Sequence, residues 1–292
     1  MRRAVLALML LAAFPPMAHA AGPEGPIDAI SMIDFRRGPQ FKVGDWVRYR
    51  TRGESAQGFK TDYTVTVLIA GEELWWGEKC FWVETQTTTE IGKPSVTAAS
   101  LLSYDVFKNP KAKTRFRRYI RKYVDGVDGD GRPEVKLFLR APSELTTRGF
   151  EEKDPARQTD TVGVGKVEVP KGTFDALRVN QRYREFETNQ EGDSTVYFEL
   201  MESQVYWWSN KVPITSLVRV DRENTQRRRV WMIGESENAP LRIVEHTTGG
   251  TELLDFGSGM KALAVAERLQ RPLSEQGRAG PSPARRPAGR KS

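Results

Sequence analysis

From Phe41 to Thr247 apolar and polar residues alternate in short runs, and turn-forming residues separate the runs. Trp46-Val47-Arg48-Tyr49 alternates directly after Gly44-Asp45. Tyr63 to Ile69 is β-branched and aromatic, and Cys80 to Thr87 follows the turn-like Trp76-Gly77-Glu78-Lys79. Further runs fall at 114–124, 134–140, 161–168, 173–184, 194–200, 203–209, 214–222, 227–234 and 240–247. A period of two places successive side chains on opposite faces of a sheet. Runs spaced about ten residues apart, with Gly, Asn and Asp between them, predict a mainly β, antiparallel body with few helices. Only Met260–Leu269 carries helical spacing, through Ala262, Leu263, Ala266 and Leu269, and it predicts a short helix after the Gly/Ser turn at 256–259. Leu101–Val106 and Ala141–Phe150 fit neither period.

So many strands in one chain must dispose of their sheet edges. A barrel, a half-barrel or a sandwich would each do so. A strongly curved sheet also leaves a concave face to be filled by a helix, a second sheet or a ligand.

The ends of the chain differ from this body. Met1-Arg2-Arg3, an apolar stretch from Ala4 to Phe14 and Ala18-His19-Ala20 have the three parts of a cleavable export signal, residues 1–20. The apolar run is too short to span a bilayer, and no Cys follows the cleavage site to carry a lipid. A Gly/Pro-rich arm follows at 21–40, then one β-rich domain at 41–270. The final segment, 271–292, is a basic Pro/Gly/Ser/Arg tail that buries too little to offset its chain entropy. These features place the protein in the periplasm. The net charge of +7 sits largely at the ends. Arg2 and Arg3 leave with the signal. Arg278, Arg285, Arg286, Arg290 and Lys291 against Glu275 make the tail basic, so the body is nearly neutral and no nucleic-acid partner is expected.

Composition narrows the chemistry. One Cys forbids an internal disulfide and a Cys-rich zinc site, and two His leave no histidine metal cluster. After export His246 is the sole imidazole, no G-x-S-x-G is present, and no catalytic dyad is visible. Cys80, flanked by Phe81 and Trp82, reads as a buried small apolar residue. A hydrolase built on carboxylates has no paired motif to support it, so no enzyme activity and no cofactor are expected. The loop Asp125–Glu134 is dense in carboxylate and glycine. It misses EF-hand spacing, leaving either a looser Ca²⁺ turn on Asp125, Asp128 and Asp130 or a plain Asp-Gly hairpin loop. Lys108–Lys122 is basic without an acid. As a strand it puts Arg115, Arg117 and Arg121 on one face and Arg118 on the other, suited either to anionic headgroups or to the protection of a sheet edge. Trp75-Trp76, Phe81-Trp82 and Tyr206-Trp207-Trp208 put one aromatic on each side of a sheet, in a core or along an apolar pocket.

One pair of segments resembles a known family. Lys166-Val167-Glu168-Val169-Pro170-Lys171-Gly172-Thr173-Phe174-Asp175-Ala176 matches a V-P-x-G-x-F turn. Tyr206-Trp207-Trp208-Ser209-Asn210-Lys211-Val212-Pro213-Ile214-Thr215-Ser216-Leu217-Val218 matches a W-x-S-x-x-V-P pattern. With the opening strand at Val43–Tyr49 they resemble bacterial exported proteins related to the LolA/LppX-like periplasmic lipoprotein-carrier superfamily. The resemblance covers about half the body and rests on strands and turns. It implies a half-barrel, a curved antiparallel sheet closed by helices over an apolar concavity where such carriers hold acyl chains. This chain shows few helices to form that closure. The expectation is therefore a binding protein for a lipid or lipoprotein partner. Its walls would draw on Trp46, Trp82, Trp207, Trp208 and Trp231, and the membrane surface is a further contact. The alternative is an envelope interaction module whose core is filled.

Overall fold

The computed structural model describes Ile33 and residues 38–75, 77–89, 94–108, 116–123, 134–137, 157–232 and 240–276. Eleven strands form one antiparallel sheet in the order β6-β5-β4-β3-β2-β1-β11-β10-β9-β8-β7. They are β1 (Trp46–Ser55), β2 (Lys60–Trp75), β3 (Glu78–Thr89), β4 (Pro94–Ser103), β5 (Phe116–Tyr123) and β6 (Glu134–Leu137). The second half holds β7 (Arg157–Val169), β8 (Gly172–Glu191), β9 (Ser194–Trp208), β10 (Leu217–Met232) and β11 (Arg242–Gly257). Two meanders, β1–β6 and β7–β11, are joined by the pairing of β1 with β11. Among the described residues β6 and β7 are the edge strands, and the sheet is not closed into a barrel.

Alternation in the sequence becomes two apolar faces. Val47, Tyr49, Val67, Ile69, Phe81, Val83, Leu102, Val220 and Leu253 belong to a larger buried cluster. Leu68, Cys80, Trp82, Ala99 and Leu101, mostly the intervening positions, belong to a smaller one. The larger cluster also holds Val167, Val169, Phe174 and Ala176 from the hairpin β7–β8. Strands at opposite ends of the pairing order meet there, so the sheet curls toward that side, which is the inner face. Contacts of β7 with β10 and β11 record the same curl. So does Lys171 in the β7–β8 turn, which pairs with Asp255 of β11 and lies 5.1 Å from the Phe256 ring centroid.

Part of the outer face is covered by the segment after β11, which is irregular where a helix over 260–269 is expected. A short 3-10 turn at Glu267–Leu269 and one helical turn at Leu273–Gln276 are its regular elements among the described residues. The reason lies in Glu84 of β3. Its fully buried carboxylate accepts the backbone N–H groups of Leu263 at 2.7 Å, Ala264 at 2.8 Å and Val265 at 3.3 Å. Those donors point across to the sheet instead of back along a helix. Gln270 supports the same shape by bonding Ala262 and Val265 through its side chain. Met260, Ala262, Ala264, Val265 and Leu269 close over Trp82 and Leu101. Gly71 of β2 permits the approach, because a Cβ there would overlap the Leu269 carbonyl. The segment then rounds the end of the β2–β3 hairpin, where Glu72 accepts the Leu273 N–H at 2.9 Å. The described residues of this segment run to Gln276.

Candidate binding site on the inner face

Three pieces that are not part of the sheet fill one end of the inner face. The connection β9–β10, residues 209–216, folds inward, burying Val212, Ile214 and Thr215. The 3-10 turn Tyr104–Phe107 after β4 is capped by Ser103, whose Oγ accepts the Asp105 N–H at 3.0 Å, and it brings in Tyr104, Val106 and Phe107. Phe41, just before β1, completes an aromatic group with Phe81, Tyr104 and Phe107, with ring centroids 4.8–6.4 Å apart. Ile33 from the N-terminal arm joins the same cluster.

The loop is held and strained at once. Tyr49 projects from β1 into the core, where its hydroxyl pairs with Thr215 Oγ1 and donates to the Leu217 carbonyl at 2.8 Å. Complete burial pushes the Tyr49 phenol well above its ordinary value, so it stays a neutral donor. Ile214 and Ser216 sit at φ 65° and 56°, the left-handed region where residues with a Cβ are disfavoured. Such strain costs about 1–3 kcal/mol per residue. Burying Val212 and Ile214 contributes about 1.5–3 kcal/mol each. The strain offsets part of that burial, and the two hydrogen bonds of the Tyr49 hydroxyl add to what holds the loop closed. Space at the mouth, between Gln40, Phe41, Phe107, Val212 and Ile214, is about 10 Å³, no more than one water needs. In this conformation that end of the inner face is filled.

Tyr104 links the inner plug to the outer segment. Its hydroxyl donates to Glu72 Oε1 at 2.6 Å, while Glu72 Oε2 accepts from Leu273. Lys79 stands 3.1 Å from Glu72 and 4.7 Å from the Tyr104 ring centroid. Burial opposes ionisation of Glu72, but hydrogen bonds from Tyr104, Leu273 and Lys79 outweigh it and hold the carboxyl below its ordinary range. Burial and the Glu72 charge both push the Tyr104 phenol upward.

The tryptophans expected to form one wall are distributed. Trp82 is fully buried in the outer-face cluster, its indole N–H donating to Glu73 Oε2 at 3.0 Å, and Trp46 borders that same cluster. Trp207 and Trp208 border the inner cluster. Trp207 lies under the Arg178 guanidinium, and Trp208 stacks on Tyr206 with ring centroids 5.4 Å apart. Trp231 sits near the distal end of β10, with Arg229 5.4 Å from its ring centroid. Only Trp207 and Trp208 therefore stand beside the plugged end. The two family-like segments do converge there, since Val167, Val169 and Phe174 share a cluster with Val212, Ile214 and Leu217. Tyr49 and Thr215, which hold the loop, carry no motif of their own. The signal for Tyr49 is its alternation with Val47, which marks both as inward.

Other candidate groups resolve differently. His246 bonds Thr225 Oγ1 through Nδ1 at 3.0 Å, and Cys80 is buried. Among the described residues no group of three potential metal ligands comes together. Asp125, Asp128, Asp130 and Arg115 lie outside the described residues, as do the export signal and the tail beyond Gln276. Arg117, Arg118 and Arg121 fall on β5, which pairs with β4 on one side and β6 on the other. The β6 pairing covers Arg118 to Arg121 and leaves Arg117 beyond it.

No family model matches the chain, and no curated protein does. Among solved structures the chain is similar to a Bacteroides fragilis protein described as exported and YmcC-like in fold, at 10% identity and a TM-score of 0.31, covering 75% of this chain and 98% of that one. A Parabacteroides distasonis protein described as a lipoprotein aligns at 13% identity and a TM-score of 0.31, covering 77% and 99%. A LolA superfamily protein from Nitrosomonas europaea aligns at 10% identity and a TM-score of 0.24, covering 80% and 94%.

Proposed function

We infer that this chain is an exported, non-enzymatic binding protein that accepts the acyl chain of a lipid or lipidated partner on its inner face, at the end now occupied by residues 209–216. The observation that carries this reading is the loop itself. An apolar inner face is closed by a short connection with two residues in the left-handed region, whose strain offsets part of its apolar burial. A plug in this balance can exchange places with an apolar ligand, because the ligand supplies the same burial without the backbone strain. Trp207, Trp208, Phe107 and Phe174 would then border the chain. The filled mouth supports a second reading, an envelope interaction module with a permanently closed core.

Uptake of a fluorescent fatty acid separates the two. Tyr49→Phe removes the hydroxyl that holds Thr215 and Leu217, so a carrier should bind the probe more tightly than the parent chain by severalfold. No saturable uptake by either protein rejects the carrier and favours the closed module.

A further inference from the structure

A groove lies on the outer face, away from the loop and from the covering segment. It has a volume of about 490 Å³ and runs across β2, β1, β11 and β10. Strand register explains why it exists and what it presents. One cross-strand row reads Arg219, Glu252, Arg50. The next reads Asp221, Gly250, Arg52, Asp62, with Gly250 as the single gap in a row of charges. Neighbouring strands stand about 4.8 Å apart, so Asp221 and Arg52 flank a side-chain-free floor roughly two strand spacings wide. A Cβ at Gly250 would lie 2.7 Å from the Val220 carbonyl and 3.3 Å from Asp221 Oδ1, so the Asp221 carboxylate leans over the bare floor.

The two walls are held unequally. Asp62 is taken by Arg50, whose Nε donates to Oδ1 at 2.7 Å. Asp221 accepts from Arg219 Nε at 2.8 Å, which leaves its other oxygen directions open to the groove. Arg52 stands 3.6 Å from Asp62 and 3.8 Å from Glu252, both beyond good hydrogen-bond length, and more than half of its side chain is exposed. A guanidinium held by two longer ion pairs therefore faces a carboxylate across a floor without side chains. The lining holds as many cations (Arg50, Arg52, Lys60, Arg219) as anions (Glu54, Asp62, Asp221, Glu252). A simple anion would satisfy Arg52 and face Asp221, and a simple cation would do the reverse. A molecule carrying both charges satisfies both walls.

We propose that this groove binds a small zwitterion, with the ammonium on Asp221 above Gly250 and the anionic group on Arg52. The shared chemistry is an amine a few bonds from a phosphate or carboxylate, as in a phosphoethanolamine headgroup or an amino acid. The site is independent of acyl binding on the inner face.

Calorimetric titration of the full mature chain at low salt tests this with glycerophosphoethanolamine and glycine as zwitterions, and with glycerol 3-phosphate and ethanolamine as single-charge controls. At least one zwitterion should bind more than tenfold tighter than both controls. Which one binds distinguishes the headgroup from the amino-acid source. Arg52→Gln and Asp221→Asn should each weaken it at least tenfold, with unchanged thermal midpoints and unchanged fatty-acid uptake. Absence of zwitterion binding, equal binding of a control, or unchanged affinity in both folded variants overturns the proposal.

Discussion

Replacing Glu84 by Gln tests the account of the outer face at its most loaded point. The carboxylate is fully buried and meets only donors. Oε1 takes Leu263 N–H and the Gln86 amide at 2.7 and 2.8 Å, and Oε2 takes Ala264 and Val265 N–H at 2.8 and 3.3 Å. The amide of Gln keeps one oxygen and turns the other position into a donor facing backbone donors. A hydrogen bond to a charged group is worth about 1.5–3 kcal/mol, and a buried donor left unpaired costs about as much. Two bonds are affected, one of them long, so local loss should be about 3 kcal/mol, roughly a hundredfold in the opening equilibrium. Hydrogen exchange reads this directly at the amides of Leu263, Ala264 and Val265, and Trp82 fluorescence reports water reaching the smaller cluster. Exchange there should speed up about a hundredfold in the variant, while amides in β10 keep their protection. Protection within twofold of the parent, with an unshifted Trp82 spectrum, would refute the clamp.

Other substitutions probe separate links. Gly71→Ala should lift the covering segment and lower stability by about 1–3 kcal/mol in urea unfolding, because the new methyl overlaps the Leu269 carbonyl. At Ser216, Gly should leave the midpoint unchanged or raise it, whereas Val should lower it by more than 1 kcal/mol, a difference set by the φ of 56°. Asp62 is held below its ordinary value, chiefly by its hydrogen bond from Arg50. Its contribution is therefore complete above the unfolded carboxylate value near pH 4 and is lost as pH falls through the lower folded value. The stability gap between the parent and Asp62→Asn should accordingly be constant from pH 7 to 5 and close below pH 4.

Much of the architecture could be read from alternation, and the exceptions share a cause. Strands β1, β2 and β3 bury one or both faces, so Val47, Tyr49, Phe81 and Trp82 announce their sides. The runs at 194–200 and 203–209 are in fact one strand, β9, and those at 214–222 and 227–234 fall largely on β10, which ends at Met232. At Glu202 and at Arg222–Gln226 the sheet carries polar groups, alternation fades, and polar residues there look like turns although backbone pairing continues. The apolar spacing of Met260–Leu269 is real, yet its amides go to Glu84, a partner about 180 residues away that no local window contains. The plug was half visible. Val212-Pro213 marked a break between strands, but only the fold shows that Ile214 and Ser216 turn inward beneath Tyr49. The charged groove has no local signature, because Asp221, Gly250 and Arg52 become neighbours through pairing of β10, β11 and β1.

Native mass spectrometry of the mature protein, purified from a bacterial periplasm and then offered phospholipid and fatty acid, addresses the binding function most directly. A carrier should show one bound acyl lipid per chain, retained in the Arg52→Gln variant and lost when Trp207, beside the site, is replaced by Asp in protein that still melts cooperatively. A clean ligand-free mass, with no uptake of either lipid by the parent or by Tyr49→Phe, would contradict acyl binding on the inner face.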